Sequence, residues 1–140
     1  MVSIQSTPAH NKEIAQTFLD IFSTGNVNAI LDCLHEDATW WISGKIGGIS
    51  GTYSKAEIGE LLAGVTSAYK QGALPVRVLG MTAEEDRVAI EAESYAELHN
   101  GKIFNNEYHF LITVSDEKVI QVREYSDTLH IYEIFVNMQD

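Results

Sequence analysis

Apolar positions in the first part of the chain recur at helical spacing. Ile14, Phe18, Ile21 and Phe22 fall on one stripe, which predicts an amphipathic helix over residues 8–24. Thr7 suits its cap, and Pro8 suits its first position, where the N–H that proline lacks would have no helical partner anyway. Gly25 is the expected stop. A short second helix is predicted over residues 27–35, with Ile30, Leu31 and Leu34 inward. The period then changes. Residues 38–43 (ATWWIS) are aromatic and β-branched and read as a strand, followed by a glycine-rich loop over 44–51 (GKIGGISG). Ser54 opens a third helix with a capping box, because Glu57 lies three residues on; Ile58, Leu61, Leu62 and Val65 form its inner face, and Gly72 closes it.

The second half alternates with a period of two. Strands are predicted over 74–82, 87–98, 103–114 and 119–127, joined by tight turns at HNGK (99–102), which carries the Asn-Gly hairpin signal, and SDEK (115–118). Residues 128–138 read as a closing helix or ordered tail. Helices followed by hairpin-linked strands define an α+β class, in which a curved antiparallel sheet wraps the first helix. The space between the two is a natural ligand pocket. Alternation assigns side chains to faces. Asn106, Tyr108, Phe110 and Ile112 share one face, opposite Glu107, His109, Leu111 and Thr113; Ile120, Val122, Glu124 and Ser126 go together; Ala89, Glu91, Glu93 and Tyr95 stand opposite Val88, Ile90, Ala92 and Ser94.

Composition narrows the function classes. With 45% hydrophobic residues in 140, one domain can bury a core without disulfides, and Cys33 has no second cysteine to pair with. The formal charge of −11 would repel nucleic acid and anionic lipid, so neither is an expected partner. Residues 1–11 lack the pattern of a signal peptide and no apolar run is long enough to span a bilayer; the expected setting is the cytoplasm.

From Gly101 the chain reads GKIFNNEYHFLITVSDEKVIQVREYSDTLHIYEIF, and its front half holds FLDIFSTGN and HEDATW. These segments resemble the SnoaL-like proteins of the nuclear-transport-factor-2-like, ketosteroid-isomerase-related superfamily. The resemblance implies a cystatin-like cone, its N-terminal helices packed on a strongly curved antiparallel sheet. It also implies a small, mostly apolar or aromatic ligand in an enclosed hydrophobic pocket, and a homodimer formed through the sheet, whose reverse face would carry Leu111, Thr113, Val119 and Tyr125. The catalytic tyrosine, base and protonated acid of the ketosteroid isomerases fall on Phe18, Ile42 and Phe110. A base and two donors are needed for that chemistry, and these side chains offer none, which argues against that mechanism. The Asp–Arg–Asp relay of the limonene-epoxide-hydrolase type falls on Glu93, Glu91 and Glu124, keeping two carboxylates and losing the bridging cation.

Candidate catalytic residues are Glu124, Glu93 and Tyr108. Candidate ligand-binding residues are Phe18, Phe22, Trp40, Ile42, Asn106, Phe110 and Val122. For Glu124 two readings stand side by side: an acid or base with raised pKa in an apolar pocket, or a structural pair with Arg123 or Arg77. Glu93 reads more readily as an exposed strand charge, and Tyr108 as a core aromatic with its hydroxyl satisfied. Trp40 is expected in the pocket and Trp41 behind the sheet. The glycine loop lacks a phosphate-loop ending and suggests a flap. Cys33 reads as inert core. His109 belongs to the reverse face, and His10, His35, His99 and His130 lie near element ends. Their spacing fits no metal site, and neither metal nor cofactor is expected. A cyclase, isomerase or hydrolase, a non-catalytic small-molecule binder, and a dimerisation module are the three functions left open.

Overall fold

The computed structural model describes residues 7–137. Helix α1 (Pro8–Phe22) is capped by Thr7, whose side chain accepts the His10 N–H, and it ends before Gly25 at φ 75°. Helix α2 (Val27–Asp32) is shorter than its pattern suggests, because strand β1 (Leu34–Ile42) already begins at Leu34 rather than at Ala38. A strand missed in the sequence, β2 (Gly51–Ser54), pairs antiparallel with the end of β1. It runs straight into helix α3 (Lys55–Ala68), where Ser54 and Glu57 form the expected capping box. Strands β3 (Val76–Glu84), β4 (Arg87–Ser94), β7 (Glu107–Ser115) and β8 (Lys118–Ser126) complete a six-stranded sheet in the order β2-β1-β8-β7-β4-β3. Neighbours are antiparallel except β1 and β8, which run parallel.

The long hairpin is bent. Between Ser94 and Ala96 on one side, and Phe104 and Glu107 on the other, main-sheet pairing stops and resumes as the short pair β5 (Ala96–Glu97) and β6 (Ile103–Phe104). Register is kept across the break: Glu93 faces Glu107, and three residues further along each strand Ala96 faces Phe104. The bend therefore turns the tip without slipping it. A bulge in β8 opposite Thr113 and Val114 resets the alternation, so Val119 and Val122 are both fully buried and Ile120 is turned out of their row. This corrects the expected reverse-face place of Val119.

The inner face of the sheet holds two apolar clusters. In the larger, Phe18 and Leu19 of α1 pack on Val88 and Ile90 of β4, Phe110 and Ile112 of β7, and Val122 of β8. The smaller gathers Tyr69, Leu74, Ala96, Leu98, Phe104 and Ile131 at the bent tip. The chain closes with helix α4 (Thr128–Ile131) and one π-helical turn (Tyr132–Val136). Met138, the end of the closing element that the sequence predicts, lies outside the described residues, as do residues 1–6 of the segment expected to hold no signal peptide. Among the described residues no helix is long and apolar enough to cross a membrane.

Candidate functional site

The two clusters do not meet everywhere, and a hollow of about 360 Å³ lies at their junction. That volume suits a small organic ligand. Its walls come from Phe22 of α1, Trp40 and Ile42 of β1, Ile58, Leu62 and Val65 of α3, and Phe104, Ile131 and Phe135 of the tip and C-terminal segment. Exposed Glu60 and Gly64 of α3 form part of the rim, so the hollow opens beside α3 and is not sealed.

Strand β8 delivers Glu124 to this space. Parallel pairing sets Glu124 beside Ile42, and the indole Nε1 of Trp40 donates to Glu124 Oε1 at 3.1 Å. Glu124 retains some accessible surface yet is surrounded by protein; the two observations agree because the surface it keeps borders the hollow. Burial pushes its pKa up to about 7, against the smaller opposing pull of the Trp40 N–H. Neither expected arginine partner is present. Arg77 is engaged by Glu93, and the Arg123 guanidinium lies 4.0 Å over the Trp41 ring on the other face of the sheet.

Two phenols share the hollow with this carboxyl. Tyr108 is held above its ordinary pKa first by burial and then by the charge of Glu124, and its hydroxyl lies 2.9 Å from Ser94 Oγ. Tyr69, at the end of α3, is 2% exposed and is likewise held high by burial and by Glu124. Its hydroxyl has no hydrogen-bonding partner among the described residues. Both stay protonated at neutral pH, so each keeps a hydroxyl proton to donate in a hydrogen bond as well as an oxygen that can accept, while Glu124 exchanges its own proton. No Lys, Arg or His is among the lining residues. Among the described residues no group of His, Cys, Asp and Glu could hold a metal ion.

Of the residues singled out in the sequence, Glu124, Tyr108, Phe22, Trp40 and Ile42 border the hollow. The others do not. Glu93 sits on the outer face, half exposed in its pair with Arg77, because the buried row of β4 is Val88, Ile90, Ala92 and Ser94. Phe18, Phe110 and Val122 are buried within the larger cluster and do not line the hollow. Asn106 is buried at the hairpin bend, accepting the Glu107 N–H, and faces a separate polar cleft. Tyr69 is the residue missed. It follows the helical stripe of α3 by four residues from Val65, a spacing that carries it to the same face.

A cone of helices on a bent sheet, with its hollow at the junction of two cores, is the nuclear-transport-factor-2-like architecture. The chain belongs to the SnoaL-like domain family, which residues 15–122 match. A comparison with curated proteins finds no matching sequence. Among solved structures it is similar to PrhC from Penicillium brasilianum, with TM-score 0.81, 17% identity, and 91% of this chain and 87% of that one covered. It is similar to BvnE pinacolase from Penicillium brevicompactum, with TM-score 0.79, 16% identity, and coverage of 91% and 93%. A protein of ketosteroid-isomerase-like fold from Catenulispora acidiphila, in complex with trimethylamine, matches with TM-score 0.69, 19% identity, and 86% of each chain.

Proposed function

We propose that the hollow binds a small, mostly apolar, uncharged organic molecule and that Glu124 serves as acid or base upon it. The observation that carries this reading is a single carboxyl with a pKa of about 7, walled by apolar side chains and bordered by two tyrosines. A group that holds and releases its proton near neutral pH is suited to either role. Tyr69 and Tyr108 would donate to a ligand oxygen, and Phe22, Trp40 and Ile42 would hold the carbon frame. A cyclase, isomerase or hydrolase fits this set. The steroid-isomerase layout does not, since its three positions hold Phe18, Ile42 and Phe110. A pinacolase is among the proteins of similar fold.

A second reading has its own observation. The Trp40–Glu124 hydrogen bond could hold the carboxyl as a fixed recognition group, making the protein a non-catalytic binder. Native mass spectrometry of the protein from its own host identifies the bound molecule. With that molecule in hand, Glu124→Gln separates the readings: lost turnover with retained binding is the catalytic result, and absence of turnover in the unmutated protein is the binder's.

The outer sheet face supports a homodimer in the same reading. It carries exposed Leu79 on β3 and, across the sheet, Tyr125 beside Trp41, with Arg77 and Arg123 among Glu91, Glu93 and Glu107, so a two-fold axis can set opposite charges against one another. Sedimentation of the unmutated chain against Tyr125→Glu tests it. A cytoplasmic site for such a protein fits its lone, half-buried Cys33.

A further inference from the structure

The hydrogen bonds at the hairpin bend bear on which way the proton of Tyr108 points, since either hydroxyl of the Ser94–Tyr108 pair can donate. Ser94 Oγ is within 2.9 Å of the Tyr108 hydroxyl and 3.3 Å of the Asn106 backbone nitrogen. A backbone N–H can only donate, so Ser94 Oγ accepts from Asn106. Ser94 has one hydroxyl proton of its own, and the Tyr108 oxygen is its sole acceptor in reach among the described residues. Were Tyr108 to donate instead, the Ser94 proton would be buried without a partner, at a cost of roughly 1–3 kcal/mol. Ser94 is 5% exposed, so little of it is open to water, although it borders the cleft that Asn106 faces. The bend holds the pair rigidly: Ser94 N–H donates to Asn106 O at 2.9 Å, and Asn106 Oδ1 takes the Glu107 N–H at 3.0 Å.

We infer that Ser94 is a positioning residue that fills the acceptor side of Tyr108 and so turns the phenolic proton into the hollow, towards a ligand oxygen. This rests on the hollow being a ligand site, as proposed above. The Asn106 N–H feeds Ser94, Ser94 feeds Tyr108, and each donation strengthens the next. The end of the chain is a polarised phenol beside Glu124, so a ligand carbonyl that bonds to Tyr108 lies within the same small cavity as the titrating carboxyl. A hydroxyl at position 94 is therefore required for function and not merely for packing.

Two readouts test this. The first needs no ligand: protein carrying carbon-13 at tyrosine Cζ, with the Tyr108 line assigned from Tyr108→Phe. Ser94→Ala should move that line, and Ser94→Thr, which restores a hydroxyl, should return it. The second uses 2-acetylnaphthalene, with 2-ethylnaphthalene as the control that lacks an oxygen. Ser94→Ala should weaken binding of the ketone about 3- to 10-fold, the worth of one neutral hydrogen bond. It should also shift the bound carbonyl stretch to higher frequency and leave the hydrocarbon's affinity unchanged. A merely structural Ser94 would lower stability while the Tyr108 line and the carbonyl band stay put, and that result overturns the inference. So does a moved Tyr108 line with an unmoved carbonyl band, since the proton would then not reach the ligand. If neither naphthalene enters the unmutated protein, the proposed function fails by itself, and the Cζ line still decides whether Ser94 donates.

Discussion

A carboxyl group that keeps its proton longer in the folded chain than in the unfolded one ties stability to pH. Glu124 starts from an ordinary value of 4.5 and is raised by burial to about 7. Between those values the folded protein holds a proton that the unfolded chain has released, so stability is full below the lower value and falls as pH rises through the window. The difference corresponds to roughly 3 kcal/mol. Glu124→Gln keeps an acceptor for Trp40 and removes the charge. Urea unfolding at pH 5 and pH 8 should show the unmutated protein losing stability between the two relative to the variant, with the variant the more stable at pH 8. Equal pH slopes would mean that Glu124 titrates like an exposed acid. This residue was legible in the sequence, because alternation along 119–127 puts one carboxylate in a row with Val122. Tyr69 was legible only as continuing the α3 stripe four residues past Val65, since a sequence does not show whether such a face borders a cavity or a core. Phe18, Phe110 and Val122 were legible as apolar and inward, but an apolar residue beside a void and one sealed in a core have the same signature in a sequence.

Elements were legible where a local rule governs them. The Thr7 cap, the Ser54–Glu57 box and the HNGK turn each satisfy a backbone group within a few residues, so pattern alone locates them. Strand β2 escaped because its pairing with β1 is long-range and its four residues, GTYS, look like loop. The β8 bulge and the break at Ser94–Tyr95 escaped because both are set by the partner strand. Glycines separate the same two kinds of constraint. Gly25 has φ 75°, and a Cβ there would lie 1.9 Å from the Gly72 carbonyl oxygen, a backbone atom that joins α1 to the segment after α3. Gly25→Ala should destabilise by roughly 3 kcal/mol or more, since strain and a backbone clash add. Gly64 lies within α3 with nothing within 4 Å of its would-be Cβ, and Gly64→Ala should stabilise by about 0.5–1 kcal/mol. Thermal melts of the two variants, read side by side, check both signs. The C-terminal segment depends on a tertiary clasp: Lys102 Nζ donates to the carbonyls of Glu133 at 3.3 Å and Asn137 at 3.2 Å. Lys102→Met should speed amide exchange across residues 131–136, where Ile131 and Phe135 wall the hollow, and leave the large sheet protected. Unchanged exchange would assign the hold on that segment to apolar packing alone.

At the scale of the whole molecule, charge decides what can enter. The chain carries a formal charge of −11, and the residues lining the hollow include Glu124 and Glu60 with no basic side chain. An anionic ligand would meet a repulsive surface outside and an unpaired carboxyl inside, with no cation to offset its own desolvation. A neutral ligand faces neither cost, and an ammonium ligand gains a counter-ion as soon as Glu124 ionises. Three probes of one shape separate these cases: 2-acetylnaphthalene, 2-naphthoate and 2-naphthylmethylamine. At pH 6, where Glu124 is mostly neutral, the ketone should bind at least about 100-fold more tightly than the carboxylate, a difference of about 2.7 kcal/mol. Raising the pH through about 7, where Glu124 loses its proton, should strengthen binding of the amine and weaken the carboxylate further. In Glu124→Gln both pH trends should flatten while the preference for the ketone remains, because the apolar wall and the two tyrosines are unchanged. Titration calorimetry across that range would show it. A carboxylate that binds as well as the ketone would require a cation that the cavity does not contain, and would place the ligand site elsewhere on the molecule.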